Sequence, residues 1–226
     1  GSTGGQTFTL TDKVDVIPGL IGSNGTTSTA GDDLVIAGEG SNATTHTLGS
    51  SDVINTGEGM DRMNLRLADV NPAAVVGQTV TPNMTSVEKV YTQALNSVAG
   101  GSNAINAINV TGTTEWWSDN STATLIVNNV NEKAAVGVIG GDADAAEVDD
   151  YLVGFKSSAV TGNLAVVLQG VTLDDLGVSA QDGVAEFATW DISVTGTANS
   201  SIDTLTDNLQ NPVANLTTIN VSGDKR

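Results

Sequence analysis

The chain contains no cysteine, a single histidine, eight basic residues and few aromatics. Each scarcity removes a class of explanation. Without cysteine there is no disulfide framework, and redox chemistry does not fix the compartment. One histidine, His46, excludes His-rich metal sites and most catalytic triads. The bases Lys13, Arg62, Arg66, Lys89, Lys133 and Lys156 are scattered, with Lys225 and Arg226 closing the chain. Phosphate binding needs clustered Lys and Arg, so no nucleic-acid partner is expected. Aromatics make up 4% and charged residues 15%, yet apolar residues reach 39%, too many for a disordered segment. No apolar run is long enough for a membrane-spanning helix, so no membrane span is expected.

What remains is a Gly-, Ala-, Val-, Thr- and Asn-rich chain of 226 residues with 26 acids and a formal charge of −18. Such a composition suits many short strands joined by frequent turns, in one elongated repeat domain or two compact ones. Each bound Ca²⁺ would cancel two negative charges, so the metal-free chain should repel its own copies more than the loaded one.

Residues 10–64 align with themselves every nine residues. The pieces are LTDKVDVIP, GLIGSNGTT, STAGDDLVI, AGEGSNATT, then the odd residue His46, then TLGSSDVIN and TGEGMDRMN. The sixth position reads Asp15, Asn24, Asp33, Asn42, Asp52 and Asp61; the eighth reads Ile17, Thr26, Val35, Thr44, Ile54 and Met63. Glycine recurs at the fourth position, as Gly22, Gly31, Gly40 and Gly59. The pattern resembles the RTX calcium repeat, G-G-x-G-x-D-x-U-x. That resemblance implies a parallel β-roll in which two nonapeptides, 18 residues, complete a coil. Turns stacked one coil apart would surround Ca²⁺ with oxygens. The ligands it implies are Asp15, Gly31, Asp33, Gly40, Asn42, Asp52, Gly57, Gly59 and Asp61. On this spacing Asp15, Asp33 and Asp52 share one edge of the roll, and Asn24, Asn42 and Asp61 the other. The position-eight side chains should point inward.

From Leu65 the register is lost. Strands are expected near residues 87–92, 104–111, 123–130, 134–139, 151–155, 164–171, 185–195 and 217–222. Ile202, Leu205 and Leu209, behind Asn199 or Ser200 as a cap, predict a helix over 200–209, with a short turn of helix within 171–176. The fold expected is all-β: an RTX-type roll over about 10–64, continuing into an irregular β-helix or stacked-strand solenoid over 65–226 with at most one or two short helices. Residues 1–9 would be a lead-in strand or an added remnant. Phrases such as TSVEKVYTQAL, NAINAINVTGT and LTTINVSGDKR resemble the repetitive body of bacterial S-layer proteins. This implies calcium-dependent assembly of a secreted, extracellular surface lattice or fibre, without catalysis. The lack of an initial Met and the strand-like end lead us to expect a piece of a longer protein.

Outside the repeats, Asp142, Asp144, Glu147, Asp149 and Asp150 crowd into nine residues after Gly140 and Gly141. This is either a second calcium site built on Asp142, Asp144 and Asp149, or a solvated acidic loop. Trp116 and Trp117 should face opposite sides of a strand, one buried and one exposed, the latter available to a sugar or a neighbouring subunit. Trp190 is expected in the core. Two other functions stand beside the structural one: a segment of a large secreted RTX adhesin binding a surface polysaccharide, and a β-helix polysaccharide-modifying enzyme, for which the scarcity of bases is a poor fit.

Overall fold

The structure, a computed structural model, describes residues 4–18, 30–38, 47–68, 78–95, 102–141, 150–181, 186–207 and 216–223. Its strands in chain order begin with β1 (Thr7–Thr9), β2 (Val16–Ile17), β3 (Leu34–Ala37), β4 (Val53–Asn55), β5 (Arg62–Ala68), β6 (Thr79–Val80) and β7 (Asn83–Thr85). They continue with β8 (Lys89–Leu95), β9 (Ser102–Asn106), β10 (Asn109–Thr111), β11 (Glu115–Asp119), β12 (Thr124–Val130) and β13 (Ala135–Ile139). The last are β14 (Asp150–Phe155), β15 (Leu164–Gln169), β16 (Thr172–Ala180), β17 (Thr189–Thr195), β18 (Ser201–Thr206) and β19 (Thr218–Gly223). The one helical element among the described residues is a 3₁₀ turn, Ser157–Ala159.

All strand pairs are parallel, and successive strands wind into a β-solenoid. Sheet I holds nine strands, in the order β1-β3-β5-β8-β11-β13-β15-β17-β19. Sheet II has four, β10-β7-β4-β2, and sheet III six, β18-β16-β14-β12-β9-β6. The cross-section therefore changes along the axis. From β5 to β10 a coil visits sheets I, III and II in turn; from β11 onward it alternates between I and III. The change coincides with the shortest step between sheet I strands, Glu115 to Ala135.

Alternation explains the core. In β8, Val90, Thr92 and Ala94 point inward while Lys89, Tyr91, Gln93 and Leu95 are partly exposed, the period of two that a strand imposes. Matching positions of sheet I stack into a row: Phe8, Val35, Met63, Val90, Trp116, Val136, Val166 and Ile192, all buried. Burying one such side chain fully contributes roughly 1.5–3 kcal/mol, so the row is a principal source of stability. Trp190 lies in the same core, as expected, beside Leu164.

Two expectations are corrected. The first is the coil length. Gln6 bonds to Asp33, Asp33 to Asp61, and Asp61 to Glu88, at separations of 27, 28 and 27 residues. About three nonapeptides, not two, separate successive sheet I rungs here, and the step between the first two sheet II rungs, Val16 to Val53, is longer still. The second concerns the helices. Residues 201–206 form β18, and 172–180 form β16. The three-residue spacing of Ile202 and Leu205 copies that of Leu173 and Leu176, their strand partners. Leu173 and Leu176 are both buried while Asp174 and Asp175 between them are not, so a local break in alternation mimics a helical period.

Candidate functional site

The sixth-position acids lie on two edges of the solenoid. Just before the sheet I strands, Asp33 Oδ1 accepts the Gln6 N–H at 2.6 Å, Asp61 Oδ1 accepts the Asp33 N–H at 2.6 Å, and Glu88 Oε2 accepts the Asp61 N–H at 2.7 Å. Before the sheet II strands, Asp52 Oδ1 accepts the Asp15 N–H at 2.9 Å. The Asp15 and Asp52 Oδ2 atoms take the N–H groups of Thr11 and Gly49, each at 2.6 Å. Asp33 thus stacks with Asp61 and Asp15 with Asp52, so the shared edge of Asp15, Asp33 and Asp52 is replaced. The reason is that the sheet I rungs recur after 28 residues, Asp33 to Asp61, and the first sheet II rungs after 37, Asp15 to Asp52, so neither follows the 18-residue spacing.

All four aspartates are buried. Positions six and eight differ by two, so they share a face, and the acids point inward beside Ile17, Val35, Ile54 and Met63, all of them buried as expected. Each carboxylate caps amides at a turn, where the chain has left the sheet ladder and the N–H groups would otherwise be unpaired.

Asp61 stands apart. Its residue is 0% exposed, and Oδ2 is buried without a hydrogen-bond partner. The neighbouring Thr56 hydroxyl donates to Ser86 O. Burial raises the Asp61 carboxyl above its ordinary pKa, and the Asp33 and Asp32 carboxylates add to the rise, against the Asp33 N–H and the Thr56 hydroxyl, which lower it. Above it, Gly59 adopts φ +139°, and a Cβ there would stand 2.7 Å from Gly31 O. Gly57 also has a positive φ. Asp32 Oδ1 accepts the Met60 N–H at 3.0 Å on the outer side of the same stacked turns. Asp61 Oδ2 is the one oxygen of this carboxylate without a partner, and a hard cation would satisfy it. Among the described residues no three His, Cys, Asp or Glu side chains are grouped closely enough to hold a metal on their own. Gly40, Asn42, Asp142, Asp144, Asp149 and His46 lie outside the described residues.

Sequence reasoning missed Gln6, Asp32 and Glu88 as members of the ladder. The acids at 33, 61 and 88 recur at the coil length, which a search for nine-residue units confined to 10–64 passes over.

The outer face of sheet I carries a second constellation. Trp117 and Tyr91 stack with centroids 5.2 Å apart and planes 4° apart, and Arg62 lies 3.7 Å over the other face of Tyr91. Glu115 Oε2 accepts the Trp117 indole N–H at 2.8 Å. The indole occupies the space left by Gly137, where a Cβ would come within 2.2 Å of the ring. Trp116 is buried inside, but the expectation that one of the two is exposed is corrected: Trp117 faces outward and is only 6% exposed, covered by Tyr91 and lying over Gly137.

A third group titrates. Both Glu186 carboxylate oxygens accept the Ala180 N–H, at 3.1 and 3.0 Å. Burial pushes this carboxyl up to about 7, Asp207 adds to the rise, and the Ala180 N–H opposes it. The folded protein therefore holds a proton that the unfolded chain releases near the ordinary glutamate value of about 4.3. The stability this contributes is fully present below that value and is lost as pH rises through about 7. We expect the thermal midpoint to fall between pH 5 and 8 (roughly the window set by these two values), and the fall to be shallower in Glu186→Gln. Parallel profiles for parent and variant would show that Glu186 does not titrate in this window.

Comparison with protein-family models, with curated proteins and with solved structures returned no match.

Proposed function

We propose that this chain is a structural stacking element of a bacterial extracellular surface layer or matrix, assembled end to end and ordered by Ca²⁺, with no catalytic role. The observation that carries the reading is the last rung. The inward row of sheet I continues from Ile192 to Val221, and there the burial ends: Val221 is 67% and Ile219 44% exposed, although their partners Ile192 and Trp190 are buried. On sheet III, Leu205 lies over the buried Leu176 and is itself exposed. At the other end Phe8 and Leu10 are buried. A stack of parallel rungs has one direction, so a contact that continues it is head-to-tail and propagates into a fibre or sheet instead of closing as a dimer. A further rung laid on β19, from a continuation of the chain or from a second copy, would pair that strand's edge and cover the apolar row.

Calcium enters through the resemblance to the RTX repeat and through the orphaned Asp61 oxygen, and it reduces the −18 charge that opposes docking. The test is sedimentation velocity and electron microscopy across calcium and magnesium titrations. We expect calcium, and much less magnesium, to convert monomers to multimers, since magnesium keeps its octahedral waters. Ile219→Lys with Val221→Lys should abolish assembly without lowering the melting temperature, because both positions are exposed. A protein that stays monomeric at millimolar calcium, or a double variant that assembles like the parent, would overturn the proposal.

A further inference from the structure

We propose that the outer face of sheet I binds a carboxylate-bearing saccharide in an open depression of about 270 Å³ between β3, β5, β8 and the end of β11. Its walls are Asn64 and Arg66 on β5, Tyr91 and Gln93 on β8, and Asp119; Ile36 supplies an apolar floor.

Charge gives the first argument. Three of the eight bases, Arg62, Arg66 and Lys89, sit on two neighbouring strands of this face. Two are committed: Lys89 pairs with Glu115 at 3.1 Å, and Arg62 covers Tyr91 and reaches Asp119 at 3.9 Å. Arg66 is exposed and has no ion-pair partner among the described residues. A free guanidinium in a chain of charge −18 is a point of attraction for one anion, and its planar fork fits a carboxylate. Asp119 does not cancel it, because Asp119 Oδ1 accepts the Asn120 amide at 2.7 Å and its other oxygen faces Arg62. A multiply charged phosphate polymer would need more cations than this face offers.

Hydrogen-bonding capacity gives the second. Asn64 Oδ1 accepts from Arg62 Nε at 2.5 Å, which leaves its NH₂ free; Gln93 donates to Asn120 O at 3.3 Å, which leaves its carbonyl free. An amide donor, an amide acceptor and the Tyr91 hydroxyl therefore surround the free cation. Those are the partners of a ring with several hydroxyl groups and one carboxylate, whose C–H face can rest on the exposed Ile36.

Topology gives the third. A peptide most readily joins a sheet by adding a strand to a free edge. Here β3, β5, β8 and β11 are all paired on both sides, so a ligand is read by side chains alone. The support behind them is rigid. Trp117, held by Glu115 and seated over Gly137, fixes Tyr91, and Tyr91 fixes Arg62. The volume lies at the small end for ligand pockets and suits one ring of a longer glycan.

The test is NMR titration of the intact protein with trigalacturonate, its methyl ester, and trialanine as a carboxylate that is not a sugar. We expect trigalacturonate to shift amides of β3, β5 and β8, and the ester and trialanine to bind at least about tenfold more weakly. Arg66→Met, which keeps the apolar stem, should weaken trigalacturonate by a similar factor, and Lys156→Met, with the same charge change elsewhere, should not. No shifts at these strands at millimolar trigalacturonate, or equal loss in the two variants, would overturn the site. Equal binding of trialanine would overturn the saccharide assignment. Assembly is not measured here, so the outcome is separable from the stacking proposal.

Discussion

Asp61→Asn should leave the protein folded but deaf to calcium, whereas Asp61→Ala should destabilise it with or without the ion. Asp61 Oδ1 holds the buried Asp33 N–H at 2.6 Å. Asparagine keeps an oxygen for that amide and removes a buried charge that Asp33 and Asp32 repel. Without calcium, Asn should therefore be close to the parent. Alanine leaves the amide unpaired, a cost of about 1–3 kcal/mol. Calcium bound at the free oxygen stabilises the folded state by mass action, about 2.7 kcal/mol at a concentration 100 times the dissociation constant. Both variants should lose that increment. Melting curves of the three proteins, each with calcium and with chelator, separate the cap from the ion site. If calcium raises the midpoint of Asp61→Asn as much as that of the parent, Asp61 is an amide cap and nothing more.

The same carboxyl has an acid signature in the absence of metal. Its pKa is raised, so the folded state keeps the proton longer than the unfolded chain. Stability from this group is full below the ordinary aspartate range and is lost as pH rises through the folded value. A cation at Oδ2 reverses the preference, because it favours the charged form. If calcium binds there, as proposed, proton and calcium would compete for the Asp61 carboxylate, and the melting experiment read at two pH values would report both.

The strands of the second half were legible because they alternate. Residues 123–130, 134–139 and 151–155 announce β12, β13 and β14 almost residue for residue. The parallel stacked architecture was legible from the repeat. The coil length was not, because a nonapeptide specifies one turn and one strand, while the number of units that close a coil depends on how inward side chains fill the cross-section. Asp15, Asp33, Asp52 and Asp61 could have been placed inside from the sequence, since they lie two positions from residues already assigned to the core. The calcium pattern drew attention to what an aspartate binds and away from the face it occupies. Trp117 failed for a different reason. That the two tryptophans face opposite sides was correct, but the outward one is covered by Tyr91 and seated on Gly137, partners one coil away on either side. Only the register brings those three together, and the register rests on the coil length.

Gly141→Ala should cost far more than Gly140→Ala, although the two glycines are neighbours in one exposed-looking turn. Both have positive φ, +66° at Gly140 and +125° at Gly141. At Gly140 an added Cβ meets the Asn120 side-chain oxygen, which can turn away, so the cost is that of a left-handed residue, about 1–2 kcal/mol. At Gly141 the Cβ would stand 1.9 Å from the backbone carbonyl oxygen of Thr172. That carbonyl starts β16 and cannot retreat, because the turn is tied to the coil above it through Gly140 N to Gln169 O at 3.1 Å and Thr172 N to Gly140 O at 3.2 Å. Strain and clash together should reach on the order of 3 kcal/mol or more. In a stacked repeat the damage should spread to neighbouring rungs first. We expect hydrogen exchange to accelerate in β15, β16 and β17 of Gly141→Ala while β5 and β8 keep their protection, and urea melts to rank parent, Gly140→Ala and Gly141→Ala in that order. Equal losses in the two variants would mean that Gly141 does not pack beneath Thr172. The placement of the C-terminal coils on β13 would then have to be redrawn.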